Sequence, residues 1–229
     1  MSYYSSDRSE VLPYYPTSRV ASHVLDIGCA EGQHGQLLAS RGLAERVSGI
    51  EFEPHAAMAA RQVLDTVYEG DAEQILRDLA PCSFDGAAAL DILEHMHDPW
   101  AALAQLRELL RPSAWVVASI PNVRFLGVVL NLLVRGRFDY TESGILDRTH
   151  LRFFTRRSIE DLFQGAGYVD ARIVGLEHPS RRVWVRLVSR MLGDLAFRQF
   201  IVVARRGAVA CGDHESPLDA QTQTTEGKE

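Results

Sequence analysis

Residues His23-Val24-Leu25-Asp26-Ile27-Gly28-Cys29-Ala30-Glu31-Gly32 run from a short apolar strand straight into an acidic, glycine-bearing turn, and a helical pattern over Gln33–Ser40 follows. This strand–turn–helix run commits the chain to an α/β sheet. It also fixes a ligand site, because ligands of open α/β sheets bind in the crevice beyond the carboxyl ends of the strands. Gly28 and Gly32 let backbone approach a ligand with no Cβ in between. The charge of the turn narrows the ligand further. A dinucleotide turn receives an anionic pyrophosphate on a helix N-terminus, and Asp26 and Glu31 would repel one here. Two carboxylates suit a ligand that brings positive charge, such as an ammonium together with a sulfonium.

The following strands repeat the pattern. Arg46–Ile50 alternates and ends in Glu51-Phe52-Glu53-Pro54. An acid about 20 residues past a glycine turn is where doubly wound folds grip a ribose diol, and a carboxylate does so through charge-assisted hydrogen bonds. Thr66–Glu69 ends in Gly70-Asp71-Ala72, which places Asp71 to accept from an adenine amino group. Phe84–Leu90 ends in Asp91-Ile92-Leu93-Glu94-His95. Any one of the acids Asp26, Glu51, Asp71 and Asp91 reads most simply as a helix cap or turn residue. All of them in register with a βαβα pattern describe one ligand-binding edge. S-adenosylmethionine carries the ammonium, the sulfonium, the ribose and the adenine that such an edge would meet.

On these residues the chain resembles the class I S-adenosylmethionine-dependent methyltransferases. The resemblance rests on Leu25–Gly32, Gly49-Ile50-Glu51, Glu69–Ala72 and Phe84-Asp85 through His95. It continues in Leu109–Pro112, Ser119–Asn122 and Gly144–Thr155, and covers roughly residues 8–205. It implies a Rossmann-like doubly wound seven-stranded sheet, mostly parallel with an antiparallel last strand, and helices on both faces. It implies S-adenosylmethionine as cofactor and S-adenosylhomocysteine as product. The cofactor contacts then fall on Asp26, Gly28, Cys29, Ala30, Gly32, Glu51, Phe52, Asp71, Ala72, Asp91 and Ile92. Cys29 reads as a small packing residue beside the cofactor, not a nucleophile. One position departs from the family: Ala30 stands where glycine is usual, which is tolerated while its φ stays negative. The subgroup resembled is associated with glycan or secondary-metabolite assembly. That implies methyl transfer to a small-molecule acceptor, foremost a hydroxyl of a sugar or related metabolite. N- or carboxyl-methylation of a small or lipid-linked acceptor, and a non-catalytic cofactor-binding or scaffold module, stay open.

Composition agrees with one enzyme domain. The 229 residues suffice for a buried core. Twenty-four Lys and Arg against 30 Asp and Glu give a net charge of −6, which argues against nucleic acid as substrate. Cys29, Cys82 and Cys211 are odd in number and widely spaced, without metal-site spacing. No metal is expected. No signal peptide and no apolar run of about 20 residues is seen, so the expectation is a cytoplasmic protein with no transmembrane segment. The sequence leaves the oligomeric state open. Residues 1–206 form the methyltransferase domain with an insertion at 123–154 as acceptor lid, and 207–229 lose periodicity as a disordered tail does. In residues 1–20, Tyr3, Tyr4, Arg8, Tyr14 and Tyr15 either fold over the cofactor mouth or fray. The remaining elements are a helix over Trp100–Leu110 capped by Asp98, a strand over Trp115–Ile120, a helix from Thr155 to Gly165 and strands over Tyr168–Leu176 and Phe197–Arg205.

Three regions remain for acceptor chemistry. His95 follows the fourth strand, and histidine titrates where a general base for a hydroxyl needs to. The simpler reading is a histidine that pins its loop. His97 sits beside a helix cap and reads as structural. Gly144–Phe154 is too polar for core and too aromatic for a plain solvated loop, and it offers His150 as base. Its simpler reading is an Asp–Arg network that pins the insertion. Val123–Val134 and Arg181–Leu195 are apolar helical stretches, the second with arginines at 182, 186 and 190. The simpler reading is a helix covering the sheet, but a basic amphipathic helix also suits an anionic membrane surface, so peripheral membrane contact stays open.

Overall fold

The structure is a computed structural model that describes residues 8–176 and 191–208. Tyr3 and Tyr4, most of the predicted helix at Arg181–Leu195 and nearly all of the predicted tail lie outside the described residues. Seven strands form one sheet: β1 (Ala21–Ile27), β2 (Ala44–Glu51), β3 (Thr66–Glu69), β4 (Phe84–Leu90), β5 (Leu110–Pro121), β6 (Tyr168–Gly175) and β7 (Gln199–Arg206). Their order is β3-β2-β1-β4-β5-β7-β6. β1 to β5 run parallel, and β7 is antiparallel to both β5 and β6. The doubly wound expectation therefore holds. The order reverses between β1 and β4, which is where such sheets open a crevice at their carboxyl edge.

The helices are α1 (Gln33–Ser40), α2 (Pro54–Ala60), α3 (Ala72–Asp78), α4 (Pro99–Leu109), α5 (Leu126–Arg135) and α6 (Arg156–Gly165). Local chemistry sets their starts. The side chain of Asp98 accepts from Ala101 N, with Pro99 at the first helical position. Thr155 and Ser158 close a reciprocal capping box at α6. The sheet is buried on both faces, and alternate residues of a strand serve opposite cores. Leu25 and Val116 join one apolar cluster with Leu103, Leu106, Phe163 and Phe200. Val24 and Val117 join the other with Leu38, Val47, Trp115 and Ile201. Buried parallel strands read as apolar runs for this reason. β5 starts earlier than Trp115 because Leu110 already pairs with Phe84, with a register shift before Gly86.

The N-terminal segment is packed down and does not fray from Arg8 onward. A 3-10 turn over Ser9–Tyr14 buries Val11. Tyr15 packs edge-on to Trp115 at 5.1 Å, and its hydroxyl lies 2.7 Å from His34 Nε2. The insertion behaves differently. α5 has no buried residue. The segment after it folds on its own aromatic cluster, with the Phe138 and Phe153 rings 5.4 Å apart.

Candidate active site

The glycine turn is built as a continuation of the sheet. Gly28 N and Cys29 N both donate to Ile50 O, at 2.9 and 3.0 Å. Ala30 N donates to Glu51 Oε2 at 2.8 Å, and Glu53 N donates to Glu51 Oε1 at 2.9 Å. Each carboxylate oxygen has a second lone pair left for a ligand. Gly28 adopts φ 72°, and a Cβ there would meet Ile92 Cδ1 at 3.0 Å. Between these residues a cleft of about 300 Å³ opens, lined by Gly28, Glu51, Phe52, Asp71, Ala72, Ile92 and His95 among others. Phe52 is 72% exposed at its rim.

Six of the predicted cofactor contacts thus line one cleft: Gly28, Glu51, Phe52, Asp71, Ala72 and Ile92. Asp71 also serves as the cap of α3, accepting from Gln74 N at 3.0 Å. Asp26, Cys29, Ala30, Gly32 and Asp91 do not line this cleft. Asp26 is buried beneath the turn with Oδ2 unpartnered, and burial raises its pKa. Glu31 is engaged by Gln33 Nε2 at 2.8 Å. The charge argument from this pair of acids is therefore weaker than the sequence suggested. Cys29 is buried against Gly49, where a Cβ would lie 2.4 Å from its Sγ. Burial, with Asp26 and Glu51, pushes its thiol far above the usual range, so it is a packing residue as expected. Gly32 caps α1 in the left-handed region, at φ 86°. Ala30 sits at φ 49°, so the condition under which alanine is easily tolerated there is not met.

Asp91 lines a second cavity and not this cleft. A pocket of about 200 Å³ is lined by Asp91, Glu94, Ile145, Asp147, His150, Arg198 and Gln199, with Pro121 and Gly144. Asp91 is held there by Arg8 Nη1 and Gln199 Nε2, and by Ser119 Oγ at 2.9 Å. Arg8, which folds over this edge, donates through Nη2 to Ser119 Oγ at 3.2 Å. The Asp91–His95 run divides its residues between the two cavities. Asp91 and Glu94 face the pocket, and Ile92 and His95 face the cleft.

The two candidate bases meet at that divide. The His95 and His150 rings stand edge to face, 4.7 Å apart. His95 Nδ1 lies 3.2 Å from Thr149 O, and His150 Nδ1 lies 3.1 Å from Ile145 O. A carbonyl only accepts, so each neutral ring carries its proton on Nδ1 and keeps a lone pair on Nε2. Burial, then His150, lowers the His95 pKa, which keeps that ring neutral. Glu94 is buried with both carboxylate oxygens unpartnered among the described residues, and Oε1 lies 4.0 Å from His150 Nε2. Burial, then Asp91, raises its pKa well above the carboxylate range.

Glu94, His95 and His150 each bring one ligand atom within 4.8 Å of the others. Such a trio could hold a metal ion, although the sequence offers no metal-ligand spacing. Sequence spacing hid it because His150 arrives from the insertion, where Leu151 N and Arg152 N donate to Glu94 O at 2.8 and 3.0 Å. Glu94 carried no role in the sequence reading, although it lies inside the quoted motif. Gln199 had no signal at all. The antiparallel pairing of Pro121 with Gln199 brings it to this edge. Among the other histidines, His23 Nε2 lies 2.8 Å from Ser48 Oγ, away from both cavities. His97 lines the cleft through its loop and donates its backbone N to Glu73.

A family model described as a methyltransferase domain matches residues 3–172. The ubiquinone biosynthesis O-methyltransferase of Thiobacillus denitrificans is 32% identical over 133 residues, which cover 52% of this chain and 56% of that protein. Its counterpart from Paraburkholderia phymatum is 28% identical over 169 residues, 68% of each chain. The chain thus spans between about half and two thirds of these relatives' length. A crystal structure of a SAM-dependent methyltransferase from Archaeoglobus fulgidus matches with a TM-score of 0.61 at 18% identity, covering 85% of this chain and 89% of that one. Among the described residues no helix is long and apolar enough to cross a membrane.

Proposed function

This chain belongs to the class I S-adenosylmethionine-dependent methyltransferase family, and from that premise we propose that it transfers a methyl group to a hydroxyl of a small acceptor. The observation that carries this reading is the division of Asp91–His95 between two adjoining cavities, with the His95–His150 pair at the divide. The cleft residues fit the cofactor. Glu51 keeps lone pairs for a ribose diol, Phe52 offers an open ring face to a base, and Gly28 leaves the room a Cβ would take. When bound, S-adenosylmethionine supplies an electrophilic methyl on sulfur.

The protein's part is to position the acceptor in the second pocket and remove its proton. His150 takes that proton at Nε2, since its Nδ1–H is held by Ile145 O and its ring lines the pocket. His95, kept neutral by burial, is the alternative base from the cleft side. Names of relatives favour oxygen as the methylated atom and give a sugar acceptor no support. Incubation with methyl-labelled cofactor and a panel of small phenols and alcohols tests the reading. Label in an ether product supports it. Label only in amines, or S-adenosylhomocysteine binding with no transfer at all, overturns it.

The grouping of Glu94, His95 and His150 within 4.8 Å favours one second reading, in which these three residues would hold a divalent cation, which would supply Lewis acidity to the hydroxyl. Turnover that survives exhaustive chelation keeps the histidine as base. Turnover that is lost on chelation and restored by a divalent ion selects the cation.

A further inference from the structure

The insertion exposes what a soluble surface normally hides. In α5, Leu132 is 46% and Leu133 76% exposed on the side away from the groove described below, and the helix buries no residue against the rest of the described fold. Contiguous exposed apolar surface marks an interaction site. The charge around it is equally particular. Residues 123–157 hold seven arginines against three acids, in a chain whose net charge is −6. Arg124, Arg135, Arg137 and Arg148 are exposed around the helix, with Arg137 paired to Asp139 and Arg148 to Glu142. Exposed leucines ringed by arginines match an anionic lipid surface, which takes the side chains into its acyl boundary and pairs the guanidinium groups with phosphates.

We propose that α5 and its flanking loops seat this protein on an anionic bilayer. The helix lies in the membrane plane: its ten residues span about 15 Å, half the thickness of the hydrocarbon core. A second copy of the chain is a poor counterpart, because it would bring the same arginine rim. Residues 177–190 are a poor one too, since by sequence they add four arginines and one acid. The position is also apt for delivery. The inner side of α5 walls a groove of about 830 Å³ lined by apolar residues such as Val128, Leu130 and Val134 and by polar ones such as Asn131, Arg135 and Asp139. That groove shares Ile145 and Arg198 with the pocket that holds His150. A bilayer-borne amphiphile would thus have an amphipathic channel to the polar pocket.

Docking is tested without any catalytic readout, so it stands or falls apart from the methyl-transfer reading. The full chain is floated with mixed phosphatidylglycerol–phosphatidylcholine vesicles and with pure phosphatidylcholine vesicles. Co-flotation with the mixed vesicles, lost as salt rises, is expected. The double substitution Leu132→Ser with Leu133→Ser should weaken vesicle binding about tenfold or more. These side chains touch neither cavity, so S-adenosylhomocysteine affinity and melting temperature should match wild type. Arg137→Ser should weaken vesicle binding about fivefold. Failure to float with anionic vesicles overturns the proposal, as does undiminished flotation of the leucine variant. A wild-type dimer that the leucine variant converts to monomer would overturn it in favour of self-association.

Discussion

The turn at residues 28–32 and the insertion at 123–154 both build this site, yet they are held in opposite ways. The turn is an extension of the core. Its amides bond to Ile50 and Glu51 of the neighbouring strand, and Cys29 is buried against Gly49. The insertion closes on itself where Val123 N donates to Phe154 O at 2.9 Å, and it is fastened to the rest at a few long-range points, among them Leu151 N and Arg152 N onto Glu94 O and the Arg152 guanidinium onto His97 O. Between them α5 buries nothing. The cofactor half is therefore fixed by whatever fixes the sheet. The insertion, on the proposed function the acceptor half, can change its chemistry at little cost to the fold, which is how one fold serves many substrates.

If this division is right, substitutions at the insertion should strike turnover and spare the cofactor. His150→Ala should cut kcat by about 10²–10⁴-fold with S-adenosylhomocysteine affinity nearly unchanged. Calorimetry beside single-turnover assays checks it, and a large loss of cofactor affinity would break the comparison. If His95 is the base, the acid limb of the kcat profile should lie below the ordinary imidazole value of about 6.5, because burial lowers its pKa. The converse substitution, Glu51→Ala, should weaken cofactor binding by about 10–100-fold, the loss of a charged hydrogen-bonding partner. It should also lower the melting temperature, since Ala30 N and Glu53 N lose their acceptor. An unchanged melting temperature would show that the turn does not depend on that carboxylate.

The same contrast explains what was legible in the sequence. The positions of Glu51, Asp71 and Ile92 follow from strand ends in a parallel sheet, a local rule with period 2. The burial of Asp26 and the positive φ of Ala30 are not legible in the sequence, because burial depth and the sign of φ within a turn are set by packing that composition does not encode. Glu94 and Gln199 acquire meaning only once residues far apart in sequence are brought to one edge. Gln199 sits at the active edge solely because β7 runs antiparallel. His150 was singled out from its motif, but its opposition to His95 and Glu94 depends on the fold of the insertion.

Glu94 ties the two regions, and its burial carries a pH signature. Its folded-state pKa is raised. Above about pH 4.3 the unfolded carboxyl ionises first, so stability falls as pH rises from there toward the folded-state pKa. Glu94→Gln removes this term. The variant's melting temperature should therefore gain on wild type between pH 5 and pH 8, by about 2–4 °C per kcal/mol for a domain of this size. A difference independent of pH would show that the carboxyl ionises alike in both states.

The smallest expected effect probes the turn itself. Ala30 holds φ 49°, where a Cβ costs about 1–2 kcal/mol through its clash with the following carbonyl. Glycine there would release that strain but give the unfolded chain more freedom, at a cost of about 0.5–1 kcal/mol. The balance for Ala30→Gly runs from about zero to a gain of about 1.5 kcal/mol, a rise of at most about 6 °C in melting temperature. The Ala30 N–H still bonds to Glu51, so the turn should keep its shape and S-adenosylhomocysteine affinity should change less than about threefold, the span of 0.6 kcal/mol. A fall of several degrees would mean that the Ala30 methyl is packing surface and that the left-handed turn is held by burial. A cofactor half that tolerated this change no better than a core substitution would then be more rigid than its backbone bonds alone require.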